Sequence, residues 1–166
     1  MSNVYSPQEI LRIAIKIEEN GKKLYEVLEK KTDNATMREV WAYLKDQEEV
    51  HRKTFQVMLD NVGNYIVYEF SPGEYDAYIK AIAAGYIFIQ ELIEEKTKEG
   101  FNSDLEAIDF GIYIEKESIL TYSALRGYIL TEKHPVLDKV IDEEKNHLVK
   151  LTLLKDKLGS NTDDHR

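Results

Sequence analysis

The chain writes one polar phrase twice. DQEEVH runs from Asp46 to His51 and DEEKNH from Asp142 to His147, each an Asp, one residue, a Glu, two residues and a His. The two phrases lie 96 residues apart, Glu48 against Glu144. A second pair of segments repeats at almost the same offset. AIKIEENGKKLY (Ala14 to Tyr25) aligns with GIYIEKESILTY (Gly111 to Tyr122), so that Ile15 meets Ile112, Ile17 meets Ile114, Glu18 meets Glu115 and Tyr25 meets Tyr122, 97 residues on. Small residues correspond too, Ala14 with Gly111 and Gly21 with Ser118. Two copies of one unit can pack about a pseudo-twofold axis, and whatever lies on the unit's inner face is then doubled.

The repeated unit reads as a helical hairpin. SPQE (Ser6 to Glu9) sets a capping Ser, a first-turn Pro and a Glu three residues after the cap, SPGE (Ser71 to Glu74) does so again, and SDLE (Ser103 to Glu106) is a third capping box. Apolar spacing predicts helices over Pro7 to Lys31, Ala35 to Asn61, Asp104 to Leu130 and Pro135 to Leu158, the last stopping at Gly159. His134 and Pro135 read as that helix's start, and the tail 159–166 as a fraying polar end of one domain spanning 1–166. The first two helices are joined by a few residues, as are the last two. About forty residues separate the pairs; they hold IVYEF (Ile66 to Phe70) and two helical pieces, Glu74 to Ala84 and Phe88 to Glu99, with a break expected at Gly85. Two antiparallel hairpins joined by a long helical crossover form an all-α four-helix bundle of the ferritin-like kind.

On this bundle the doubled polar residues are two isolated Glu and two Glu-x-x-His pairs. Residues three apart share a helix face, so Glu48 with His51 and Glu144 with His147 can aim at one spot. Asp46 and Asp142 face about 200° away from the neighbouring Glu. Glu49 and Glu143 occupy unlike positions in the two phrases and do not repeat as ligands. Four carboxylates gathered in an apolar core would repel one another and take up protons, unless cations neutralise them. Four carboxylates and two neutral imidazoles suit a pair of iron or manganese ions. The candidate metal ligands are therefore Glu18, Glu48, His51, Glu115, Glu144 and His147.

The bulk properties exclude other classes. A formal net charge of -9 argues against nucleic-acid and anionic-membrane binding, and the absence of cysteine excludes thiolate sites, disulfides and iron–sulfur clusters. No stretch is long and apolar enough to span a bilayer, and nothing reads as a signal peptide, so a soluble cytoplasmic protein is expected.

The one-Glu, Glu-x-x-His, one-Glu, Glu-x-x-His set resembles that of the rubrerythrin branch of the ferritin-like proteins, over roughly residues 7 to 155. The resemblance implies two iron ions, with manganese or another divalent metal as the substitute. It makes Glu48 and Glu144 bridging ligands, Glu18 and Glu115 terminal ones, and His51 and His147 ligands to one ion each. Tyr25 and Tyr122 would support the terminal carboxylates. It further implies a dinuclear iron oxidoreductase that reduces hydrogen peroxide or dioxygen, and a homodimer is expected. Two departures stand out. Rubrerythrins usually carry another Glu one turn after the third-helix ligand, where this chain has Ser118. The familiar rubrerythrin also has a cysteine-ligated electron-donating domain, and with no cysteine in this sequence a separate donor is expected.

The competing readings are a metal-binding or ferroxidase-like iron-handling bundle without turnover, and a structural bundle whose site has decayed. Gly21 and Ser118 are expected to leave room for the oxygen ligand. His134 and His165 are read as cap and tail residues. Glu91, Glu94, Glu95 and Glu99 are read as a solvated face, and Trp41 as core or interface packing.

Overall fold

The computed structural model describes residues 6–63 and 74–163. Five helices make up the described chain: α1 (Pro7–Lys31), α2 (Ala35–Asp60), α3 (Glu74–Glu99), α4 (Asp104–Leu125) and α5 (His134–Asp163). α1 pairs with α2 and α4 with α5, while α3 crosses between the hairpins and packs on α1 and α4. Among the described residues there is no strand, and no helix is long and apolar enough to cross a membrane.

Local chemistry sets the helix starts. Ser6 caps α1 in a reciprocal box with Glu9, and the Asn34 side chain accepts from the Met37 amide at the head of α2. Ser103 caps α4 by accepting from the Glu106 amide. The Glu106 carboxylate turns instead to Asn102, accepting from its backbone and side-chain nitrogens.

Three boundaries differ from the sequence expectation. α4 stops at Leu125 rather than Leu130, and two 3₁₀ turns, Arg126–Tyr128 and Thr131–Lys133, lead into α5. Tyr128 and Ile129 look helical because they are apolar, but they are buried as corner residues. The corner is tied by Arg126 to Asp138 and by Nε2 of His134, which donates to the Ile129 carbonyl. Gly85 does not break α3, which runs straight through it. α5 continues past Gly159 to Asp163, so this part of the expected fraying tail is helical. IVYEF and His165 lie outside the described residues.

The buried apolar residues divide into two clusters at opposite ends of the bundle. One gathers Ile10, Ala14, Phe55, Tyr122, Leu137 and Ile141. The other gathers Leu24, Tyr25, Trp41, Leu44, Ile114 and Leu151. Along each helix of the two hairpins the inner stripe passes from one cluster to the other, and the residues between them are Glu18, Glu48, His51, Glu115, Glu144 and His147, every one buried. Hydrocarbon thus closes a charged layer from both sides and keeps water from it.

Candidate metal centre

The helical hairpins bring all six sequence-derived residues into that layer. They form two overlapping groups, Glu18, Glu48, His51 and Glu144, and Glu48, Glu115, Glu144 and His147. Within each group, one ligand atom per residue lies within 4.8 Å of the others. Glu48 and Glu144 belong to both groups, and each imidazole to one. The His51 and His147 rings are stacked, with centroids 5.5 Å apart.

The two halves hold each other. Tyr25 on α1 donates to Oε1 of Glu115 on α4 at 2.5 Å. Tyr122 on α4 donates to Oε1 of Glu18 on α1. Each tyrosine therefore fixes one oxygen of the carboxylate from the opposite copy, leaving the other oxygen turned to the centre.

Four of the inward atoms make no hydrogen bond. Among the described residues five buried side-chain polar atoms make no hydrogen bond, and four of them belong to this layer: Oε2 of Glu18, Nδ1 of His51, Oε2 of Glu115 and Oε1 of Glu144. Nδ1 of His51 approaches Oε1 of Glu144 to 2.9 Å without hydrogen-bond alignment. Nδ1 of His147 lies 3.2 Å from Glu144 and 3.6 Å from Glu115. Leaving a buried polar atom unpaired costs about 1–3 kcal/mol, so a set of four converging on one space fits a cation site.

Protonation makes the same point. Burial raises the carboxyl pKa of Glu18 and Glu48, and repulsion from the other carboxylates adds to it. Burial lifts Glu115 to about 8. Burial would raise Glu144 as well, but the flanking His147 and His51 imidazoles hold it below the ordinary range. Burial opposes charge on the imidazoles, yet the carboxylates prevail and raise His51 to about 9 and His147 to about 10. Without metal the layer offsets the repulsion among its carboxylates by holding protons, and a pair of cations would do the same work by displacing them.

Of the described residues set aside in the sequence, all but Glu143 lie apart. Asp46 and Asp142 are exposed. Glu49 pairs with Arg52 and Lys22, which draw its pKa down to about 2. The acidic residues of α3, Glu91, Glu94, Glu95 and Glu99, face solvent. Trp41 is core, stacked on Tyr25 at 5.8 Å.

Gly21 departs from its expected part. A Cβ there would meet Oε2 of Glu48 at 2.8 Å and Cδ at 3.0 Å, so the glycine makes room for the Glu48 carboxylate rather than for an exogenous ligand. Its counterpart Ser118 does border free space: a cavity of about 20 Å³ between α1, α3 and α4, lined by Ile17, Asn20, Tyr86, Ile93 and Ser118 among others. One interaction escaped the sequence reading. Nε2 of His51, the nitrogen turned away from the centre, lies 3.0 Å from Oε2 of Glu143.

A four-helix bundle with a buried, internally repeated carboxylate and histidine layer is a ferritin-like protein of the dinuclear-carboxylate class. The chain belongs to the rubrerythrin family, whose model matches residues 9–155. A crystal structure from Thermotoga maritima, of a candidate ferritin-like diiron-carboxylate protein, is similar at 26% identity with a TM-score of 0.66, over 92% of this chain and 95% of that one. Among curated proteins none matches significantly.

Proposed function

We propose that the chain is a non-haem dinuclear iron oxidoreductase that reduces hydrogen peroxide or dioxygen with electrons from a separate donor. The observation carrying this reading is the set of four buried ligand atoms that make no hydrogen bond and converge between two hydrophobic clusters. Glu18, His51, Glu48 and Glu144 would hold one ion, and Glu115, His147 and the same two shared carboxylates the other. Bound there, two ferrous ions supply one electron each, so that peroxide and two protons leave as two waters, or dioxygen and two protons leave as peroxide.

The chain's own residues do the rest. The carboxylates provide negative charge that favours the oxidised pair. Tyr25 and Tyr122 fix the terminal carboxylates against rotation by occupying one oxygen of each. The apolar clusters exclude bulk water. The cavity beside Ser118 has room for one or two water-sized groups, which suits a small oxygen substrate.

The test is stopped-flow mixing of the ferrous-loaded chain with peroxide and, separately, with dioxygen, in the presence of a reductant. Fast oxidation that repeats over many cycles is expected. A single slow oxidation with no return would replace this reading with iron handling, and failure to bind two ions per chain would remove the centre altogether.

A further inference from the structure

The repeat is faithful at the ligands and diverges just outside them. Offset by 96 residues, Lys139 and Glu143 of α5 correspond to Tyr43 and Gln47 of α2. These are the residues one and two turns before the two histidines. Over His51, Glu143 meets Nε2 at 3.0 Å and is itself approached by Lys139 at 3.7 Å. Over His147 the surroundings are of another kind. The Tyr43 ring meets the imidazole edge-on at 6.0 Å, and the Lys150 ammonium sits 4.5 Å from the Tyr43 centroid on top of it. Among the described residues no carboxylate pairs with Nε2 of His147; its ion-pair contacts are both through Nδ1.

We infer that Glu143 is a positioning residue that makes the two halves of the centre unequal, the position served by His51 holding its ion the more tightly. The inference rests on the dinuclear reading above. Its physical basis is the shape of imidazole, which has one proton to place when neutral. A carboxylate at Nε2 draws the proton there, which fixes the tautomer that offers the Nδ1 lone pair to the centre and holds the ring plane. The charge-assisted bond also makes the imidazole a stronger donor. His147 receives neither aid from its aromatic neighbour. Glu143 is not itself a ligand: it reaches the nitrogen on the far side of His51 from the layer, and it is half-buried at the surface rather than within it.

Anaerobic calorimetric binding of cobalt(II) to the metal-free, full-length chain tests this. The unaltered chain is expected to bind two ions in two resolved steps. Glu143→Gln should weaken the tighter step by about tenfold to a hundredfold and leave the weaker step within about twofold. A second readout uses the zinc-loaded protein. The His51 Nε2 proton should be seen by nitrogen-15 NMR as a slowly exchanging resonance that Glu143→Ala abolishes. An unchanged isotherm for Glu143→Gln, or an equal loss in both steps, overturns the inference while leaving the dinuclear centre standing. Fewer than two ions bound by the unaltered chain overturns both.

Discussion

Gly21→Ala offers the sharpest test of how the centre is built. The added methyl would sit 2.8 Å from Oε2 and 3.0 Å from Cδ of Glu48. Comfortable contact lies near 3.5 Å, so the carboxylate must retreat by roughly 0.6 Å. Metal–ligand distances tolerate only about 0.2 Å. Glu48 cannot swing aside freely, since its carboxylate lies in a layer closed by hydrocarbon on both sides and belongs to both ligand groups. Displacing it should therefore weaken both ions, by about tenfold or more each, which is 1.4 kcal/mol or more. The fold itself should survive. Alanine gains about 1 kcal/mol over glycine in a helix interior, against about 1–3 kcal/mol of overpacking, so the metal-free melting temperature should move by only a few degrees. The assay pairs anaerobic metal binding with thermal unfolding of the metal-free chain. Gly111→Ala is the control. There the methyl would press on Leu151 at 3.1 Å and on the Trp41 ring at 3.6 Å, which are hydrocarbon, so stability should fall while affinity holds. If Gly21→Ala bound two ions with unaltered affinity, the placement of Glu48 against that glycine would be irrelevant to the centre, and the reasoning would fail.

Three further outcomes follow from the same layer. Tyr122→Phe strips Oε1 of Glu18 of its donor, and denaturant unfolding should show a loss of about 1–3 kcal/mol; an unchanged midpoint would contradict it. Metal-free stability should fall as pH rises. Glu18, Glu48 and Glu115 have folded pKa values above the ordinary 4.5, Glu115 near 8, and His51 and His147 lie above 6.5, at about 9 and 10. Groups raised on folding contribute fully below their unfolded values and lose that contribution as pH climbs through the folded ones, at about 1.4 kcal/mol per pH unit per proton. Glu144, held low, acts in the opposite sense only below about 4.5. Melting temperatures of the metal-free chain from about pH 5 to about pH 9 should therefore decline, and a flat profile would refute this. Finally, removing metal with a chelator from a chain loaded at about a hundred times the dissociation constant of each position should cost about 2.7 kcal/mol per ion, or roughly 10–20 °C of melting temperature for the pair by calorimetry.

Much of the fold was legible because its signals are local. Ser6, Pro7 and Glu9 mark the start of α1 within one turn, and Asn34 marks that of α2. The six ligand candidates were legible through repetition: one Glu-x-x-His is common, but two in register with Glu18 and Glu115 are not. What escaped depends on tertiary context. Tyr128 and Ile129 carry a helical apolar pattern, and only the need to turn back toward α5 makes them corner residues. A lone glycine such as Gly85 signals a break, yet costs a long helix only about 1 kcal/mol, which packing against α1 and α4 absorbs. Gly21 is small for a reason no one-dimensional reading contains, because its neighbour Glu48 comes from another helix.

Glu143 shows where repetition misleads. Asked which acidic residues recur as ligands, the two phrases set Glu143 aside, since its counterpart is Gln47. The same mismatch is the only sequence trace of the His51 contact, which spans 92 residues and joins α5 to α2. In a duplicated bundle the matched positions report what both halves must share, here six buried groups around one space. The mismatched positions flanking them report what each half does alone. Ser118 against Gly21 and Glu143 against Gln47 are two such mismatches, one bordering the cavity and the other bracing an imidazole. Equal ligands with unequal supports are what a centre needs if its two ions are to be held with different strengths.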